Sequence, residues 1–246
     1  MTNQILRYKV LTPNGWLDSD EILEGMEVYS VDTNLKASIV KVSDITECHS
    51  VVKYTTESSA FEAWTATDMS ILYLQDYGVA NGKRQHTDVS VGEIAVDFLF
   101  RNLNNLRIVV PTSVECVDSP VISDTRHAKY FVNLVKSKNI GLKVQKFSKS
   151  DAIYFIAAWH NYYHDIIVDD DQMAMDMQHV FIRAGLLSYA SKTPLGRLRV
   201  NPYVGNEKIT FMKSGQFGSS VLKYTNEEGR QIHTICRSPS QCVYIM

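Results

Sequence analysis

The densest run of side chains able to do chemistry is Trp159-His160-Asn161-Tyr162-Tyr163-His164. His160 and His164 stand four residues apart, so on a helix they share a face and could ligate one metal. No acid or cysteine stands at a companion spacing, and Asn161 occupies the place of the glutamate in the H-E-x-x-H zinc motif. A structural or surface role is expected for the pair. Asp165, Asp169, Asp170 and Asp171 follow, ahead of a segment with helical apolar spacing. Carboxylates there favour the positive end of the coming helix, which is their expected role. A third group is cationic: Lys136, Lys138, Lys143, Lys146 and Lys149, with Arg197 and Arg199 farther on. Lysines with few acids among them can track phosphates. They can equally be the cations that complement a helix C-terminus. Both readings stay open.

The remaining candidates are weaker. Cys48, Cys116, Cys236 and Cys242 are far apart and lack CxxC spacing. Buried free thiols are expected, not a zinc site. Ser188-Tyr189-Ala190-Ser191 and Ser214 to Ser220 are rich in serine or glycine, but neither follows a strand with P-loop or dinucleotide spacing, so both read as loops. Met173 and Met177 are expected in the core. With a net charge of −2 the chain has no global basic field, so any nucleic-acid surface must be local. The first residues are polar, and no apolar run approaches the roughly 20 residues of a membrane span. The expected setting is the cytoplasm of a host cell, or an assembled particle, without a membrane.

These groups must be positioned by elements that change character along the chain. Up to about residue 110 the pattern is β: Val10-Leu11-Thr12, Val28 to Val31, Ala37 to Val42, Ser50 to Thr56, Phe61 to Thr67, Ser70 to Leu74 and Arg107 to Val110. Pro13-Asn14-Gly15 and Asn81-Gly82 are turn signals. Val91 to Leu99 is ambiguous. Helices follow: one capped by Ser123 and running to about Lys138, one capped by Ser150 through His160, and one opened by Asp170 or Asp171 and closed by Gly185. β character returns at 208–211, 220–224, 231–236 and 241–245. The fold class is therefore α+β, with an α-rich block set inside a mostly-β domain. The expected division is 1–115 together with 206–246 as the β domain, and 116–205 as the insert. Val10, Leu11, Val28, Val31 and Trp64 are its expected core.

The opening Val10-Leu11-Thr12-Pro13-Asn14-Gly15-Trp16, leading to Glu24-Gly25-Met26-Glu27-Val28-Tyr29-Ser30-Val31-Asp32, resembles the start of Hint domains, the fold of inteins and hedgehog autoprocessing domains. Phe61 to Leu74 resembles their second conserved block, built on Thr-x-x-His. Met173-Ala174-Met175-Asp176-Met177-Gln178-His179-Val180-Phe181-Ile182-Arg183-Ala184-Gly185-Leu186 resembles a helix of LAGLIDADG-type homing endonucleases. The resemblance implies a Hint-like domain carrying an endonuclease-like insert, of phage or mobile-element origin.

The residues that carry the family's chemistry are replaced. Counting back from Val10-Leu11-Thr12 puts the splicing nucleophile near Asn3, where no cysteine or serine stands. In Thr65-Ala66-Thr67-Asp68, Asp68 takes the histidine's place, and a carboxylate has no proton to give at neutral pH. The last residues read Cys242-Val243-Tyr244-Ile245-Met246, without a His-Asn pair. The LAGLIDADG-like stretch through Ala157 to His164 lacks the terminal carboxylate that would hold Mg²⁺. The expectation is a non-splicing structural or interaction module with a protein partner or assembly and no cofactor. The alternative is a DNA-binding or DNA-cleaving protein that uses Mg²⁺.

Overall fold

The structure, a computed structural model, describes residues 4–34, 37–56, 62–75, 79–80, 83–84, 90–96, 107–108, 125–138, 140–186, 188–202, 209–212, 219–237 and 243–245. Its strands before the helices are β1 (Gln4–Ile5), β2 (Lys9–Thr12), β3 (Gly15–Asp18), β4 (Glu27–Val31), β5 (Ala37–Lys41), β6 (Asp44–Cys48), β7 (Val51–Thr56), β8 (Glu62–Ala66), β9 (Ser70–Gln75), β10 (Val79–Ala80), β11 (Lys83–Arg84), β12 (Ser90–Ala95) and β13 (Arg107–Ile108). The helices are α1 (Thr125–Ser137), α2 (Lys149–Tyr163) and α3 (Asp171–Arg183), with a 3-10 turn over Gly141–Lys146. Strands β14 (Ile167–Val168), β15 (Ser188–Lys192) and β16 (Leu198–Pro202) accompany them. After them come β17 (Ile209–Met212), β18 (Ser219–Thr225), β19 (Cys236–Arg237) and β20 (Val243–Ile245).

The β2–β3 hairpin shows how local sequence sets the start. Gly15 has φ +110°, a backbone state that a side chain disfavours. Thr12 locks the turn: its hydroxyl donates to the Gly15 carbonyl at 2.7 Å and accepts the Asn14 N–H at 3.1 Å. Strands that precede the helices then pair with strands that follow them. β1 runs parallel to β18, which pairs on its other side with β6. β2 pairs with β19, β7 with β17, and β8 with β20. Val10, Leu11, Val28 and Val31 are buried as expected. Trp64 is only half-buried, packed against the rim of that core.

The helical block has its own core, in which Phe131, Phe147, Phe155, Trp159, Met177, Val180 and Phe181 meet. Helix α2 starts two residues earlier than Ser150 suggests. Ser148 is the N-cap: its hydroxyl accepts the Asp151 N–H, and the Asp151 carboxylate accepts the Ser148 N–H. This reciprocal pair satisfies two otherwise orphan donors, so it outcompetes a cap at Ser150. Ser123 lies outside the described residues. Helix α3 is capped by Asp170, which accepts the Met173 N–H at 2.7 Å. It ends in a Schellman turn through Gly185, at φ +77°, with Leu186 N–H on the Phe181 carbonyl. Beyond it, Ser188 to Ser191 is not a loop but part of strand β15, paired with β16, which pairs on its other side with β14 in a small sheet. Its register puts Ala190 beside Val200, both buried in the block's core, and that tertiary burial overrides the weak strand propensity of Ser and Ala.

Helix α3 belongs to two cores. Ala174, Met177, Val180, Phe181 and Ala184 face the helical block. Ile182 joins Leu11, Val31, Leu72 and Ile235 of the β region in a separate cluster. Met175 is buried as well, so Met175 and Met177 mark a helix covered on two sides, whereas Met173, expected in the core, is only partly buried against it at the helix start. Among the described residues, no helix is long and apolar enough to cross a membrane.

Candidate functional site

Strand β18 lies between β1 and β6, close to β8 and the turn that follows it. Gln4 pairs with Ser219, Val221 pairs with Cys48, and the exposed turn after β8 presents Asp68 to the Cys48 thiol. Asn3 itself lies outside the described residues. Burial, and then the hydrogen bond with Asp68, push the Cys48 thiol up to about 12. A thiol so raised stays protonated at neutral pH and is a poor nucleophile. Nearby, the Ser220 hydroxyl donates to Glu47 Oε1, which lies 3.7 Å from His49 Nδ1. Ser220 is fully buried. Its hydroxyl is held on a carboxylate, not on an imidazole that could take its proton.

A second polar group ties β9 and β12 to the chain's later residues. The Ser70 hydroxyl donates to Glu93, and His233 Nε2 lies 3.4 Å from Glu93 Oε1. Gln231 reads the Ser70 backbone in both directions, accepting its N–H at 2.8 Å and donating to its carbonyl at 2.9 Å. His233 beside it holds the Glu93 carboxyl down at about 2, with Ser70 and Arg230 adding to the effect, although His233 Nε2 makes no well-formed hydrogen bond among the described residues. Serine, glutamate and histidine therefore meet here with the glutamate in the middle. Among the described residues the serine hydroxyl is held by Glu93 and Gln231 and not by the histidine, so this reads as a structural clip and not a nucleophile relay.

A third group lies on the helical block. His160 and His164 are exposed at the end of α2, where His164 is the C-cap at φ +61°. Among the described residues, no three of His, Cys, Asp and Glu are arranged to hold a metal ion. The acids that follow are occupied. Asp165 pairs with Arg199 at 3.2 Å, Asp169 pairs with Arg197 at 2.6 Å, and Asp170 caps α3.

The candidate cations fall into separate places. Lys136 and Lys138 end α1 and lie over Tyr162 and Tyr163, with Nζ 5.3 Å and 5.6 Å from the ring centres. Lys143 and Lys146 sit on the 3-10 turn, and Lys149 opens α2 beside Gly185. A 15-residue helix is roughly 22 Å long, so Lys149 stands at the far end of α2 from the tyrosines. Arg197 and Arg199 are held by Asp169 and Asp165, and Lys138 is 3.9 Å from Asp169. The sequence run is thus a set of positions around the block, partly neutralised on one side.

Sequence reasoning passed over the seam between α3 and the β region. Trp16 Nε1 donates to the Met175 carbonyl at 3.2 Å, and its ring meets His179 edge-on at 5.9 Å. Arg183 Nε donates to His179 Nε2 at 3.1 Å, and the guanidinium lies over the Tyr29 ring at 5.7 Å. Burial alone pulls His179 down to about 3, so it is neutral and accepts through Nε2. The available signal was Val180-Phe181-Ile182 beside Gln178, His179 and Arg183: no single apolar stripe accounts for such a helix. No protein family's sequence model matches the chain, and no curated protein matches it significantly.

Proposed function

We propose that this chain is a Hint-like scaffold that does not splice and that serves as a structural or interaction module of a phage or mobile element. The observation that carries the reading is Asp68, standing where the resemblance calls for histidine and set against a buried Cys48 thiol raised to about 12. Neither group supplies the acid or the nucleophile that an acyl shift needs. The pairing of β1, β2, β7 and β8 with strands beyond the helices supports one β domain, 1–115 with 206–246, carrying the block 116–205 as an insert. A protein partner or assembly is the expected use of such a scaffold.

The second reading is a DNA-binding relative of homing endonucleases, with Mg²⁺ if it cleaves. Lys136 and Lys138 over half-exposed Tyr162 and Tyr163 favour binding, since cations and aromatic faces together suit nucleic acid. Cleavage is disfavoured because α2 ends without a carboxylate and Asp165 and Asp169 are engaged by arginines. The test is duplex-DNA binding and nicking with Mg²⁺ at low and high salt. We expect no nicking, and any binding to weaken steeply with salt through the lysines. Nicking lost on Asp169→Asn or Asp171→Asn would replace the module reading with the nuclease.

A further inference from the structure

Helix α3 buries a cation without its counter-charge. Arg183 is 1% exposed. Its Nε is used on neutral His179, while Nη1 and Nη2 are both buried and make no well-formed hydrogen bond among the described residues. Among the described residues no carboxylate pairs with the guanidinium. Tyr29 offers its ring face, which compensates a buried charge only in part. Burial pulls the Arg183 pKa below its ordinary value, while the Tyr29 side chain, through its charge and its hydrogen-bonding hydroxyl, pulls it back up. Yet an arginine does not give up its proton in a protein. On the same buried helix, both amide atoms of Gln178 also lack partners. Leaving a charge so placed is costly, and native structures avoid that cost by pairing it.

We propose that the seam between α3 and the β region is a binding site for a small oxyanion, with the two Nη groups of Arg183 as its bidentate anchor. The planar fork of a guanidinium matches two oxygens of one phosphate, sulfate or carboxylate, and its neighbours His179 and Tyr29 bring it no anion. An ion bound there would neutralise the seam at the point where α3 meets the β region, so the two regions would be joined more firmly in its presence.

Inorganic phosphate is the probe, added to the whole chain at pH 7 with ionic strength held constant by potassium chloride. Thermal unfolding should rise along a saturating curve in the wild type. In Arg183→Met only the shallow, unsaturated rise common to excluded anions should remain. Equilibrium dialysis should retain about one phosphate per chain, displaced by sulfate and not by chloride, and at least tenfold more weakly in Arg183→Lys, which keeps the charge but loses the fork. Equal curves for wild type and Arg183→Met would overturn the site. Should Arg183→Met fail to fold, dialysis of the wild type decides: one retained phosphate supports the site, and none overturns it.

Discussion

His179 and His233 are both buried, at 2% and 7% exposure, but they face opposite charges. His233 stands 3.4 Å from the Glu93 carboxylate, in a clip where Ser70 and Gln231 supply further hydrogen bonds. His179 accepts from the Arg183 guanidinium, and no anion among the described residues completes the group. The clip sets its imidazole beside a carboxylate at the edge of a sheet, although His233 Nε2 makes no hydrogen bond among the described residues. The seam sets its imidazole against a guanidinium, between two cores. Burial by itself therefore does not tell what a histidine does; the sign of the neighbouring charge does.

The largest expected difference is in pH dependence. The folded chain holds His179 neutral, down to about 3, whereas an unfolded histidine takes its proton near the reference value of 6.5. The unfolded state therefore binds more protons in that window, and stability is full above pH 6.5 and lost as pH falls toward 3. Between pH 7 and 4 the loss from this residue is about 3 kcal/mol, at roughly 1.4 kcal/mol per pH unit. Denaturant unfolding across that range measures it. His179→Gln keeps an acceptor for Arg183 and should flatten most of the slope; an unchanged slope would place the acid sensitivity elsewhere.

A smaller effect separates the hydrogen bond of the seam from its packing. Trp16→Phe keeps an aromatic ring near His179 but removes the bond to the Met175 carbonyl. A loss of about 1 kcal/mol is expected on chemical unfolding. A neutral result would show that the contact is packing alone. The smallest effect belongs to the clip. Glu93 is held down at about 2, so its contribution is present above pH 4.5 and lost as pH falls through 2. Its side chain is 45% exposed, and solvent screening reduces that contribution to below about 1 kcal/mol. Glu93→Gln should shift unfolding slightly at pH 6 and flatten the curve only below pH 4.5. An effect rivalling that of His179→Gln would reverse the ranking of clip and seam.

Local chemistry was legible in the sequence, and long-range chemistry was not. Pro13-Asn14-Gly15 gave its hairpin, Asp170 its cap and Gly185 its stop, because each acts through bonds within a few residues. Ser148 was missed because two serines, at 148 and 150, stand near one helix start, and only Asp151 three residues after the first decides between them. Strand β15 was missed because Ser188 to Ser191 becomes a strand only when Ala190 packs into the block. Trp64 was placed too deep, since an aromatic strand residue can cover a core from its rim. The seam joins Trp16 and Tyr29 to residues some 150 positions later, and no spacing rule reaches that far.

The central proposal is that the β region is a Hint-like scaffold without the chemistry of splicing. The direct test places the whole chain between two foreign segments, incubates it with and without thiol at neutral pH, and weighs the products by mass spectrometry. The account predicts a single intact mass under both conditions, because the Cys48 thiol stays protonated and Asp68 stands in the place of a proton donor. Thiol-dependent release of either flanking segment, or its joining to the other, would contradict it.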